Sequence, residues 1–230
     1  MNESAKRVAR FGLLTALALV LGLIDRAIPL SALLGGAVPG IRLGLANTVL
    51  LYAVYLMDWK SCVLLMLTKV LLSGFLFGSL TAILYSLAGG VLSLLVMLSV
   101  RRKPAVGALA AALLALAANI LLLSQNPRPS GQRLWAVLLI AAAFAASTVT
   151  FILIRKKRLH GVVGTSLLGA VAHNVGQILM ACAVLNAPKL LITYLPFLVG
   201  IGAAVGCLTG IVTERVLKAL GAQPDSERIG

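Results

Sequence analysis

The chain is predicted to be all-α, a polytopic bundle of membrane helices, and three observations carry that prediction. Sixty per cent of its 230 residues are hydrophobic and only 11% are charged, too apolar for an ordinary soluble domain. Solid apolar runs such as Phe11 to Ile24 and Val91 to Val100 lack the period-two alternation of a membrane barrel strand. The net charge of +14 is gathered in clusters between those runs, a topology signal and not the basic face of a nucleic-acid binder. No nucleic-acid partner is expected, and membrane lipid is.

At about 20 apolar residues per crossing, the spans fall at roughly 8–25, 42–57, 60–77, 79–99, 104–123, 134–154, 161–186 and 190–217. Lys6, Arg7 and Arg10 before the first run also fit a signal peptide, but the run ends in Asp25-Arg26 without a small-residue cleavage site, so it is read as the first helix. Eight crossings place both termini on one side. With that side cytoplasmic, 14 basic residues lie inside, including Lys6, Arg7, Arg10, Lys60, Arg101 and Arg215, and five lie outside: Arg26, Arg42, Arg128, Arg133 and Lys189. Positive residues are retained in the cytoplasm, which sets the orientation. Between the first two spans, Pro29, Gly35, Gly36, Pro39 and Gly40 break a moderately apolar stretch. Such a segment either forms an outer loop or dips into the protein, where irregular backbone is tolerated if protein or water satisfies it.

Lys69 lies within the third run, roughly 14 Å from the inner end by helical rise. An ionisable group at that depth costs about 3 kcal/mol and is by default a candidate functional residue, although a lysine can also snorkel to the interface. Asn47 and Tyr85 are placed roughly 7 and 9 Å from the outer end. His173, Asn174 and Gln177, spaced three and four apart, can share one face of the seventh helix. They form either a hydrogen-bonded clamp between helices or a ligand site. If Arg42, Lys69 and His173 converge, the pocket is electropositive with no acidic residue at that depth, and an anionic ligand is expected. Pro39, Gly40 and Arg42 would gate it. Gly12 and Ala16, like Ala18 and Gly22, form small-residue pairs that let another helix approach, and Gly12 and Ala16 are candidates for partner docking.

The absent motifs narrow the reading as well. There is no Gly-x-x-x-x-Gly-Lys-Ser/Thr phosphate loop, no aspartate-rich diphosphate motif, no nucleophile triad and no metal-ligand spacing. Cys62, Cys182 and Cys207 lie within apolar runs without paired spacing. The chain is therefore expected not to be an enzyme and to bind no metal or cofactor itself.

Three motifs are specific in combination: Pro39-Gly40-Ile41-Arg42-Leu43-Gly44-Leu45-Ala46-Asn47, Leu84-Tyr85-Ser86-Leu87-Ala88-Gly89-Gly90, and Leu168 to Gln177. They resemble the Gx transporter family, also labelled heptaprenyl diphosphate synthase component I, which is similar to the substrate-binding S components of energy-coupling factor (ECF) transporters. The resemblance covers about 1–103 and 158–218 of one integral membrane domain, 1–230. It implies a six-helix bacterial cell-membrane subunit that captures a small molecule from outside, driven by a coupling membrane subunit and by ATPases that hold the ATP. In that frame 104–157 is an inserted helical hairpin and 219–230 a polar tail. The substrate site would comprise Asn47, Lys69, Tyr85, His173, Asn174 and Gln177. Two other readings are a noncatalytic membrane subunit of isoprenoid or quinone metabolism, and an autonomous secondary carrier; the second usually shows internal repeats, and none is evident.

Overall fold

A computed structural model describes residues 3–28, 30, 40–77, 80–102, 161–187 and 189–221. These form six helices and no strand: α1 Glu3–Ala27, α2 Asn47–Leu56, α3 Trp59–Phe77, α4 Leu80–Arg102, α5 Val162–Leu185 and α6 Lys189–Ala219. Five of them are long and apolar enough to cross a membrane, and α2 is a shorter apolar helix. Length and composition thus identify a multi-pass, all-helical membrane protein. The crossings expected at 104–123 and 134–154, the hairpin they would form, Pro39, and the tail beyond Gly221 lie outside the described residues.

The second span departs from expectation. It was expected to start at 42, but the helix begins only at Asn47 and has 10 residues, about 15 Å of rise against a hydrocarbon core of about 30 Å. Gly40 and Gly44 interrupt it, with φ of +88° and +85°, a region glycine enters without steric cost. The stretch Gly40–Ala46 is non-helical, yet Ile41 and Ala46 within it are buried. It dips into the bundle and is not an open outer loop.

Consecutive helices run antiparallel, and their apolar residues sort into two clusters at opposite ends. Toward the end that carries Arg7, Arg10 and Arg101, Leu14, Leu50, Leu65, Met97, Val162 and Leu217 pack from all six helices. Toward the other end lie Leu30, Ile41, Tyr85, Ile178, Leu191 and Leu198. Polar side chains are buried along the same helices: Lys69 follows Leu65 and Met66 in α3, and His173 precedes Ile178 in α5. Large apolar side chains on the outside, including Leu13, Phe75 and Leu95, face where lipid would lie.

The most extensive helix contact is between α5 and α6, followed by α4 with α5. Gly202, Gly206 and Gly210 repeat every four residues along α6 and face α5. A Cβ on Gly206 would stand 2.8 Å from Leu167 Cα and 3.0 Å from the Ser166 carbonyl oxygen, both backbone atoms that cannot swing aside. Without a large hydrophobic drive between helices in lipid, such backbone proximity is a main source of association. This stripe was not among the small residues expected to pack closely, which were the α1 pairs and Gly169, Ala170 and Gly176 of α5. In α1, Ala18 and Gly22 turn inward, while Gly12 and Ala16 are exposed, with open space around Gly12.

Gly206→Ala is expected to lower stability by about 1–3 kcal/mol through forced separation of α5 and α6. Thermal unfolding in detergent measures it, and an unchanged midpoint would refute the close-packing account.

Candidate functional site

Asp25, near the far end of α1, is 3% exposed and organises the segment that dips in. Its Oδ1 accepts the Leu43 N–H at 3.0 Å, and its Oδ2 accepts those of Gly44 and Leu45 at 2.9 and 3.1 Å. Three successive amides that no helix or sheet ladder satisfies are thereby discharged onto one carboxylate, and bonds to an ionised acceptor are about twice as strong as neutral ones. This overturns the expectation of a pocket without acid. Asp25 ends the first apolar run in sequence, and the same rule that singles out Lys69 applies to it.

Gln177 holds the segment from the opposite wall. Its Oε1 accepts the Arg42 N–H and its Nε2 donates to the Arg42 carbonyl, each at 3.0 Å. The Arg42 guanidinium donates to Ser73 Oγ on α3, also at 3.0 Å. The Arg42 guanidinium stays charged even when partly buried, with the Asp25 carboxylate on the same cavity. Gly40 and Arg42, expected to gate the pocket, thus belong to a segment tied to α1, α3 and α5.

Lys69 is 6% exposed and donates to Asn47 Oδ1 at 2.9 Å, its only hydrogen bond among the described residues. An ammonium carries three donors, so two N–H groups stay available inside the bundle. The cavity it faces is also walled by Asp25, Arg42, Ser73, Ser86 and His173 and holds about 30 Å³, room for one or two waters. The two cations and one carboxylate leave a net positive site. His173 fits between α4 and Gly44: a Cβ on Gly44 would meet its ring at 2.8 Å, and one on Gly89 would meet its Nδ1 at 2.6 Å. Among the described residues that Nδ1 is buried without a hydrogen-bond partner, as is Asn47 Nδ2.

Lys69, Arg42 and His173 therefore converge on one cavity, with Asn47 joined through Lys69 and Gln177 through Arg42. Asn174 and Tyr85 are placed elsewhere. Asn174 donates from Nδ2 to the Leu198 carbonyl on α6 at 2.7 Å, the interhelical clamp, although its Oδ1 has no partner among the described residues. Tyr85 is fully buried in the apolar cluster with Ile41 and Ile178, its hydroxyl without a partner among the described residues. Besides Asp25, the sequence reading missed Ser73 and Ser86, single hydroxyl residues within apolar helices with nothing local to distinguish them. Among the described residues no cluster of three His, Cys, Asp or Glu could hold a metal ion.

Asp25→Ala is expected to destabilise the protein by about 3 kcal/mol or more, because three amides lose their acceptor and two cations lose their counter-charge. Asp25→Asn keeps an acceptor oxygen and should lose less. Equal unfolding midpoints for Asp25→Ala and the parent would show that the segment does not depend on this carboxylate.

No curated protein and no solved structure matches the chain. A family model described as heptaprenyl diphosphate synthase component I matches residues 14–125 and 112–216, together most of the sequence. The chain belongs to the heptaprenyl diphosphate synthase component I family, a Gx transporter-like family of membrane proteins.

Proposed function

We propose that the protein is a noncatalytic substrate-capture subunit of an ECF-type uptake system in the bacterial cell membrane, and that it receives a small vitamin- or precursor-like molecule through an anionic group. The observation that carries this reading is the Lys69 ammonium, buried beside Arg42 on a shared cavity, with two N–H donors that no described residue accepts. A charge held at that cost is explained by a ligand that completes its hydrogen bonds. The Coulomb field of Arg42 adds to it, and Asp25 offsets only one of the two positive charges.

A cavity of about 30 Å³ is too small for a vitamin, so capture of one requires the site to widen. Capture requires the segment around Arg42 to lift, which breaks its bonds to Gln177 and Ser73 while α1 and α5 keep their places. Outward-facing Gly12 and Ala16 give a coupling subunit a close-approach surface on α1. ATP binds on partner ATPases, and this chain uses no cofactor of its own. The family description favours a second reading, a noncatalytic membrane subunit associated with a prenyl diphosphate synthase. The two differ in what copurifies: a membrane coupling protein with ATPases, or a soluble subunit bearing an aspartate-rich motif.

Mass spectrometry of small molecules retained by the purified protein is expected to find an anionic compound. Lys69→Ala should retain it about 10- to 100-fold more weakly, the equivalent of one lost charge-assisted hydrogen bond. Unchanged retention removes Lys69 from the site. Uptake by the isolated chain in proteoliposomes without partners or ATP would refute the subunit reading in favour of an autonomous carrier.

A further inference from the structure

A second, larger cavity opens at the basic end of the bundle, the end that the charge asymmetry assigns to the cytoplasm. It measures about 370 Å³ and is walled by Lys6, Arg7 and Arg10 of α1, Tyr55 and Asp58 around the end of α2, and Arg101 of α4. Four cationic side chains thus face one carboxylate. That carboxylate is committed to the start of α3, where Asp58 accepts the Ser61 hydroxyl at 2.8 Å and the Ser61 N–H at 3.2 Å. Arg101 is also accounted for, since its guanidinium donates to the Val54 carbonyl at the end of α2 and stacks 5.2 Å from the Tyr55 ring. Arg7 and Arg10 are exposed; Arg7 lies within Coulombic reach of Asp58, and among the described residues neither arginine makes a hydrogen bond or a close ion pair.

Retention of positive charge in the cytoplasm explains why arginines flank this helix, but it requires only their presence and not their convergence on a concave wall. The level of the cavity in the bundle supplies the rest. Trp59, half-exposed, sits immediately after Asp58 with the Lys60 ammonium 5.9 Å from its ring, an arrangement suited to the headgroup layer. Val8 and Leu13 are about 70% exposed on α1 next to the arginines, so an apolar chain can lie along the helix below a headgroup held in the cavity.

We propose that this cavity binds a phosphate-bearing anion at the cytoplasmic membrane surface, with Arg7 and Arg10 presenting their guanidinium forks to the phosphate oxygens. Guanidinium groups match phosphate with paired hydrogen bonds, and basic pockets between helices at this level select anionic headgroups over zwitterionic ones. The phosphate is supplied by an inner-leaflet lipid or by a soluble phosphate compound. The site is separate from the Lys69 cavity and does not depend on its reading.

The full-length protein in nanodiscs of phosphatidylcholine, alone or with a minority of phosphatidylglycerol, provides the test by thermal shift and lipid titration. The lipid source predicts that phosphatidylglycerol raises the unfolding midpoint, and that each of Arg7→Gln and Arg10→Gln weakens its binding about fivefold. Arg215→Gln, an exposed basic position on α6 outside the cavity, should bind as the parent does. A soluble source predicts no effect of phosphatidylglycerol but stabilisation by inorganic pyrophosphate that the same two variants lose. If neither anion shifts the midpoint, or if Arg215→Gln weakens binding as much as the cavity variants, the proposal is overturned. Both arginines are exposed, so the single variants should fold, and an unchanged midpoint in phosphatidylcholine alone verifies that they do.

Discussion

The Asp25 carboxylate is the constraint on which the rest of this structure depends. Backbone that leaves the helix within a bilayer needs partners for its amides, because neither lipid nor a helix ladder supplies them. One side chain provides them for Leu43, Gly44 and Leu45. Once that segment is fixed, Arg42 is carried to Gln177 and Ser73, and α2 begins where Asn47 meets Lys69. A buried carboxylate would be costly alone, as would two buried cations; together Asp25 offsets one of the two positive charges on the cavity.

Glycine packing makes the frame rigid enough to hold these charges in register. The stripe on α6 brings its backbone against α5, and Gly89 of α4 leaves space for the His173 ring. Where Asn174 reaches across to the Leu198 carbonyl, Gly202 provides the room: a Cβ there would lie 2.6 Å from Asn174 Nδ2. The polar face of α5 is consequently divided among tasks. Gln177 ties down the irregular segment, Asn174 clamps α6, and His173 alone faces the cavity directly.

Membrane class and helix order were legible because long apolar runs have few physical outcomes. The observed limits of α1, α3, α4, α5 and α6 differ from the expected spans by five residues or fewer at each end. α2 was misjudged because apolar composition cannot reveal a helix start set by two positive-φ glycines and a distant carboxylate. Tyr85 illustrates a different failure. Depth placed it level with other polar groups, but depth says nothing about which way a side chain points around its helix.

Sequence by itself determined that the chain lies in a membrane, which residues are anomalous there, and that Lys69 needs a reason. The cost of a charge in hydrocarbon is local and can be assessed residue by residue. Tertiary structure alone decided which anomalies belong together. Asp25, 44 positions before Lys69, shares a cavity wall with it, and Gln177 grips the backbone of Arg42 from 135 positions away. Such pairings arise from helix packing and loop closure, in which sequence distance has no part.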